Sequence, residues 1–414
     1  MGLRRERLEL TIDDQIGHRY YPVEFEITAA DQSLEVVVSY DPSQGVVDLG
    51  CEGPGGWRGW SGGARRRFVI ASDGATPGYA PGELEPGLWH VILGLHKLPA
   101  AGLDVVVEIR TPATGLAEHE PEAPVAVQAR RGSVRGLPAS SGLRWFAGDF
   151  HAHSVHSDGS ESISELAARG VRAGLDFVAV TDHNTVSHHA HLPAASAKHD
   201  ITLLAGQEVT TARGHANAFG DIGWVDFRNP AATWSDDVTG RGGILSVNHP
   251  TAGDCAWQHE LEDLPLALEV WHSSWFADPT STSPWAFWRR WGAGVVPIGG
   301  SDYHRPGQGV TLGRPTTWVA AADRSPEAIL EAVRAGRTAI SVGAGPDGAP
   351  ASVPGPVLLR LDGDLIAIDA EDAVLVDLDG RRRRIAGARE SVPVSWGCGP
   401  FHLEDASRAV LAIC

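Results

Sequence analysis

Residues 148–159 read Gly-Asp-Phe-His-Ala-His-Ser-Val-His-Ser-Asp-Gly. His151 and His153 are two apart, and on a strand residues i and i+2 leave the same face. Both imidazoles can therefore point at one cation. Asp158 follows in a Ser-Asp-Gly turn that can fold it back towards the same point. Groups of the same kind recur downstream: Thr-Asp-His-Asn at 181–184, Gly-Gln-Glu-Val-Thr-Thr at 206–211, Gly-His at 214–215, Asn-His-Pro at 248–250 and Gly-Ser-Asp-Tyr-His at 300–304. Thirteen of the eighteen histidines lie between 151 and 304, a concentration that a general surface role does not produce.

Imidazole with carboxylate is the ligand set of zinc, manganese and iron. The motif ends supply His151, His153, Asp158, His183, Glu208, His215, His249, Asp302 and His304. Nine ligands exceed the need of one ion. Two or three divalent ions sharing a bridging carboxylate would use them all. Such a cluster brings the pKa of a bridging water near neutrality and supplies hydroxide as nucleophile. It also neutralises charge on a phosphoryl or carbonyl oxygen in the transition state. Glu208, Asp302 and His304 thus count as catalytic as well as ligating. Arg213, two residues before His215, joins them as a guanidinium that can pair with a phosphate oxygen. Asp182 is expected to orient a neighbour, and His156, His188, His189, His191 and His199 to be surface or supporting groups.

These groups need a frame. From 145 the chain alternates strand and helix, and nearly every polar motif closes an apolar run: Trp145–His153, Asp176–Asp182, Ile201–Thr211, Gly243–Pro250, Leu266–His272 and Val295–His304. Ser162 with Glu165 forms a capping box before a helix that runs to Gly174, and Ser325-Pro326 opens a last helix to Gly336. Sites at strand C-termini belong to β/α barrels and also to doubly wound sheets, but no glycine-rich phosphate fingerprint follows the first strand. Residues 20–110 alternate in short runs between Gly/Pro turns, as a β-sandwich does. Trp57, Trp60 and Trp89 there are read as core rather than as a sugar platform. Residues 112–142 read as a linker. After 345 a Gly/Pro-rich stretch precedes further short strands. The expected domains are a β-sandwich with linker over 1–143, an α/β barrel over 144–344 and a small β domain over 345–414.

The bulk numbers narrow the function classes. With 414 residues the chain is too long for one ordinary core. Its 43% apolar content is that of a globular protein. No run approaches the ~20 apolar residues of a membrane span. No apolar segment backs the N-terminal charges, so a cytoplasmic location is expected. Net charge is −18, which disfavours nucleic acid as partner. The one basic cluster, Arg381–Arg384, reads as a solvated turn. Four scattered cysteines exclude both a disulfide framework and a cysteine-rich zinc site. Aromatic residues crowd 257–291; Trp285 and Trp288 are expected to pack on a helix, and the 271–276 loop is a candidate for receiving an aromatic leaving group.

Taken together, Asp-Phe-His-Ala-His-Ser-Val-His-Ser-Asp-Gly, Thr-Asp-His-Asn, Gly-Gln-Glu-Val-Thr and Gly-Ser-Asp-Tyr-His resemble the polymerase-and-histidinol-phosphatase (PHP) superfamily of metallophosphoesterases over roughly 145–342. The resemblance implies a distorted (β/α)7 barrel with a two- or three-metal site. It implies one ion on His151, His153, Glu208 and Asp302, a second on Glu208, His215 and His249, and a third on Asp158, His183 and His304. Gly-Trp-Ser-Gly-Gly-Ala-Arg at 59–65, Thr-Pro-Gly-Tyr at 76–79 and Arg-Ala-Gly-Arg-Thr at 334–338 are similar to the two-domain branch that includes carbaryl hydrolases, although that branch favours Asn where this chain has His272. The expected function is a metal-dependent phosphoesterase with manganese, zinc or iron and a small-molecule phosphate ester as substrate. An aryl ester or carbamate hydrolase using the same site is the alternative. A non-catalytic glycan- or partner-binding protein is the reading from another class, and it would require a degenerate ligand set.

Overall fold

The computed structural model describes residues 2–127, 129–253, 255–260, 263–277, 283–291, 294–343 and 355–414, with the side chains of 283–285 excepted. The Trp285 side chain and most of the Gly/Pro-rich stretch after 345 therefore lie outside what is described. The chain divides into two compact units. One comprises Met1–Pro121, Ser154–Ser162 and Asp182–Ala190; the other comprises Glu122–His153, Ile163–Thr181 and His191–Cys414.

The first unit holds eight strands: β1 (Gly2–Leu10), β2 (Tyr20–Ile27), β3 (Ser33–Ser39), β4 (Val46–Gly53), β5 (Gly56–Gly62), β6 (Arg67–Ala71), β7 (Gly87–Lys97) and β8 (Leu103–Thr111). They form two antiparallel sheets, ordered β1-β8-β3-β6 and β2-β7-β4-β5. Alternation makes the core. In β2, Val23, Phe25 and Ile27 are buried while Glu24 and Glu26 are exposed. Both sheets feed one apolar cluster that includes Phe25, Val36, Phe68, Val91 and Val107. Trp89 sits in that core, as expected. Trp60 is also buried but stacks instead on the partly exposed Trp57, ring centroids 6.0 Å apart. Three strands had no readable signal. β1 is an edge strand whose run of Arg and Glu stays largely in solvent. β4 and β5 are interrupted by glycines, which weaken any local strand preference.

The second unit carries the strand–helix alternation: β9 (Arg144–Ala152), β10 (Phe177–Val180), β11 (Thr202–Thr211), β12 (Gly214–Phe219), β13 (Ile244–Val247), β14 (Ala267–His272) and β15 (Val296–Gly300). Helices Ile163–Arg172, Leu192–His199, Trp234–Gly240 and Ser283–Trp291 lie between them in sequence. These seven strands are neighbours in chain order. Pairing is parallel except where β12 meets β11 and β13. The β11–β12 hairpin is a departure from the expected strict alternation. Beyond β15 the chain returns to β9: the Asp302 amide donates to the His151 carbonyl at 2.9 Å, and the His153 amide to the Tyr303 carbonyl at 2.8 Å. The sheet thus curls so that the ends of its first and last strands in this run meet.

Past this point come β16 (Thr316–Ala321), helix Pro326–Arg334 capped by the Ser325 hydroxyl, and β17 (Thr338–Ser341). β18 (Val357–Leu361), β19 (Asp364–Ile368), β20 (Val374–Val376), β21 (Arg382–Arg384), β22 (Arg389–Pro393), β23 (His402–Glu404) and β24 (Val410–Ile413) complete the chain. The expected separate C-terminal domain is not what forms. β24 pairs with β17, and β23, β20 and β21 extend the same sheet. Trp145, Ala147 and Trp318 share one core with Leu358, Leu375 and Phe401. Non-local pairing of this kind leaves no local trace in a sequence. Arg382, Arg383 and Arg384 form strand β21 rather than the expected turn, though they are exposed as expected and pair with Glu404, Glu390 and Asp372.

Candidate metal centre

β9 and the residue after it place His151 and His153 together, with their Nε2 atoms 3.1 Å apart. Phe150, of opposite parity, packs edge-on against Phe177 and Phe219. Asp302, just past β15, brings Oδ1 to 3.0 Å from His153 Nε2 and 3.3 Å from His151 Nε2. Glu208, on β11, is fully buried. Its Oε1 lies 3.3 Å from His151 Nε2 and its Oε2 3.5 Å from His153 Nε2. The same Oε1 lies 3.2 Å from His215 Nδ1 and 3.3 Å from His249 Nε2. Glu208 therefore stands between two imidazole pairs, and the Asn248 amide donates to it at 2.8 Å.

Outer partners fix these groups. Glu269, on β14, lies with Oε1 3.0 Å from His151 Nδ1 and accepts the His249 amide on Oε2 at 2.7 Å. With Nδ1–H donating to Glu269, His151 keeps its Nε2 lone pair for the interior. Asp149 accepts from the amides of His151, Ser301 and Gly313 at 3.0, 2.9 and 2.7 Å, tying β9 to the segments around β15 and β16. Gly300 leaves room for this packing, since a Cβ there would lie 2.4 Å from His151 Cβ and 2.5 Å from Glu269 Oε1. Two of the converging residues sit in the left-handed region, His249 at φ 25° and Asp302 at φ 55°. Such backbone costs on the order of 1–3 kcal/mol and persists where the surroundings enforce it.

The electrostatics follow from the donor set. Burial alone would lower His151, but Glu208, Asp302 and Glu269 pull it well above the ordinary imidazole range. Burial likewise opposes charge on His249, and Cys255 and Glu208 reverse the effect. Burial would raise Asp302, yet His151 and His153 hold it well below the ordinary carboxylate range. Carboxylate oxygens and imidazole nitrogens facing one another out of water call for positive charge, carried by protons on the rings or by cations between them. The ligand types and their convergence fit divalent ions bound by nitrogen and oxygen.

The remaining candidates distribute as follows. His304 stacks on His153 with centroids 4.3 Å apart and sets its Nδ1 2.8 Å from the Asp302 carbonyl. Asp158 and His183 belong to the first unit, where His183 Nε2 lies 3.6 Å from Asp158 Oδ1. Asp182 orients its neighbours as expected, accepting from the Ser154 amide and hydroxyl at 2.9 and 2.6 Å and from the Ser157 hydroxyl at 2.6 Å. Arg213 is not among the converging groups. It occupies the turn of the β11–β12 hairpin, exposed, and its guanidinium donates to the Gln258 carbonyl at 2.6 Å. The hairpin turn carries it past the strand end where His215 begins. His156, His188 and His199 are buried rather than superficial; His156 is held by Glu120 at 2.6 Å and Ser187 at 2.7 Å. Glu269, Asp149, Asn248, Cys255 and His272 were not singled out as site residues in the sequence. His272 reaches Asp302 Oδ2 with Nε2 at 3.2 Å. A carboxylate inside the apolar run Ala-Leu-Glu-Val-Trp was the available signal for Glu269.

A buried carboxylate between imidazole pairs makes a cluster of groups that could hold metal ions. Residues 149–260 match the family model of the PHP domain. The chain therefore carries a PHP domain over this stretch. A 5'-3' exoribonuclease of Haemophilus influenzae is 35% identical over 63 residues, which are 15% of this chain and 23% of that protein. The chain thus spans about a quarter of the length of this curated relative. Among solved structures, a two-domain protein of Bacteroides vulgatus containing a predicted PHP-like metal-dependent phosphoesterase is similar over 70% of this chain and 91% of its own, at 19% identity and a TM-score of 0.42. An amidohydrolase of Chromobacterium violaceum with bound sulfate is similar over 40% and 89%, at 18% identity and a TM-score of 0.30. Among the described residues, no helix is long and apolar enough to cross a membrane.

Proposed function

We propose that this protein is a metal-dependent hydrolase whose substrate is a small-molecule phosphate ester. The observation that carries the reading is Glu208, buried and within 3.5 Å of ring nitrogens of His151, His153, His215 and His249. His151, His153, Glu208 and Asp302 would hold one ion, and Glu208, His215 and His249 a second. Asp158 and His183 are a further candidate pair within the first unit. The curled seven-strand run is read as the distorted barrel of the family, and the two sheets of the first unit as a sandwich. Manganese, zinc and iron all suit nitrogen and oxygen ligands. Ions in such a set supply Lewis acidity and an activated water.

The chain's own residues do the rest. Glu269 and Asp149 orient the His151 ring and its strand. Asn248 holds one oxygen of Glu208 in place. The buried setting excludes bulk water and strengthens every charge interaction inside it. A phosphate ester is favoured because its negative charge complements a cation cluster in the ground state as well as in the transition state.

The test is direct. Protein purified without chelator and reconstituted with manganese, zinc or iron is assayed on phosphomonoesters, phosphodiesters and aryl carbamates. Metal-dependent release of phosphate or alcohol from a phosphate ester is expected. Turnover of carbamates alone would replace the phosphoesterase reading by carbonyl hydrolysis on the same site. Failure to bind any ion after reconstitution would remove the metal centre itself.

A further inference from the structure

Each imidazole that gives one nitrogen to a cation carries its proton on the other, and that outward N–H needs an acceptor. His151 solves this with the Glu269 carboxylate. His249 solves it differently. Its Nε2 faces Glu208 Oε1 at 3.3 Å, and its Nδ1 faces Cys255 Sγ, also at 3.3 Å. Cys255, His249 and His215 each offer a ligand-type atom within 4.8 Å of the others. The loop after β13 creates this juxtaposition. The Trp257 amide donates to the Pro250 carbonyl at 3.0 Å and the Gln258 amide to the Arg213 carbonyl at 2.7 Å, so the chain folds back and returns residue 255 beside residue 249. Cys255 is a free, partly buried thiol.

We infer that Cys255 is a positioning residue for the metal centre: its sulfur accepts the Nδ1–H of His249 and aims Nε2 at the ion shared with Glu208 and His215. This rests on the metal-centre reading above. Sulfur is a weak acceptor compared with a carboxylate. The two faces of the Glu208 bridge are therefore backed unequally, by Glu269 behind His151 and by a thiol behind His249. Nothing in the cysteine spacing pointed to this role, because the contact is made across a loop and not through a Cys-x-x-Cys motif.

The experiment compares wild type, Cys255→Ala and Cys255→Ser, each reconstituted with zinc or cobalt and titrated with a competing chelator. Far-ultraviolet circular dichroism and thermal melting check the fold. Alanine leaves Nδ1–H without its acceptor, so one bound ion should weaken by roughly 10–100-fold while the other holds. Serine supplies an oxygen in the same place and should restore most of that loss. Equal affinities for wild type and Cys255→Ala would overturn the role. So would a serine variant as weak as alanine, which would point to loop packing. A sulfur-to-cobalt charge-transfer band in wild type would show Sγ to be a ligand itself and would also overturn it. If wild type binds no ion, the metal-centre reading falls with it; if wild type binds and alanine changes nothing, only the part played by Cys255 falls.

Discussion

Glu269→Gln tests the orientation of the site without changing its volume. The carboxylate accepts twice, from His151 Nδ1 on one oxygen and from the His249 amide on the other, at 3.0 and 2.7 Å. An amide has one oxygen and one NH2. If its oxygen stays on the His249 amide, its NH2 confronts His151 Nδ1. The ring must then accept at Nδ1 and carry its proton on Nε2, which removes the lone pair that faces His153, Glu208 and Asp302. If the amide flips, its NH2 meets the buried His249 N–H, donor against donor. Either way a charge-assisted hydrogen bond of ~1.5–3 kcal/mol is lost in a buried place. At about 1.4 kcal/mol per tenfold, that is roughly a 10- to 100-fold loss of metal affinity. Chelator competition on reconstituted protein reads it, with elemental analysis for stoichiometry and circular dichroism for the fold. A folded Glu269→Gln protein that binds its ions as tightly as wild type would refute the tautomer argument.

Glu208→Gln should lose metal and turnover together, because an amide cannot serve both imidazole pairs; retention of both ions with near-normal turnover would rule out the bridge. Gly300→Ala should cost about 1–3 kcal/mol through overpacking against His151 and Glu269, seen as a lower melting temperature with reduced metal content; unchanged melting would show that the strand yields easily. Arg213→Ala should alter phosphate-ester turnover by no more than about twofold, as expected of an exposed position; a tenfold drop would bring Arg213 back to the substrate. Glu35, in the first unit, resists burial through hydrogen bonds from Thr114 and Arg67, which hold its carboxyl down to about 2. A depressed folded-state pKa stabilises above the unfolded value of 4.5 and loses that contribution as pH falls towards 2. Glu35→Gln should therefore lower stability by about 1–3 kcal/mol at neutral pH, with the gap to wild type closing between pH 5 and 2 in denaturant titrations; a gap independent of pH would show that packing, not charge, is at work.

The converging groups were legible because their placement depends on local rules alone. A period of two brings His151 and His153 together at the end of β9, and an apolar run followed by a polar motif puts Glu208, His249 and Asp302 at or near strand ends. The supporting groups obey no such rule. Glu269 meets His151 only because β14 and β9 are brought together by a sheet that curls, and the register between them is absent from either segment. Asp149 stands two residues before His151, but its partners include the backbone amides of 301 and 313, which no local pattern reports. Arg213 shows the converse error. Two residues from His215 in sequence, it was credited with proximity in space, but a hairpin turn reverses the chain between them and sends its side chain to Gln258. Alternation marks β18, β19, β20 and part of β22 as strands, but it does not report that β24 pairs with β17, because alternation says what a segment is and not which edge it completes.

The same distinction explains why the site is built as it is. Cation ligands must converge from several strands, so each is carried by a short motif that survives in isolation. Their orientation must be enforced by groups already held in the fold, so those groups come from wherever packing brings them: a carboxylate in the middle of β14, an asparagine beside a strained histidine, a thiol on a returning loop. A metal centre read only from its motifs names the ions' neighbours. The hydrogen bonds behind them decide which nitrogen each histidine offers, and hence whether an ion binds there at all.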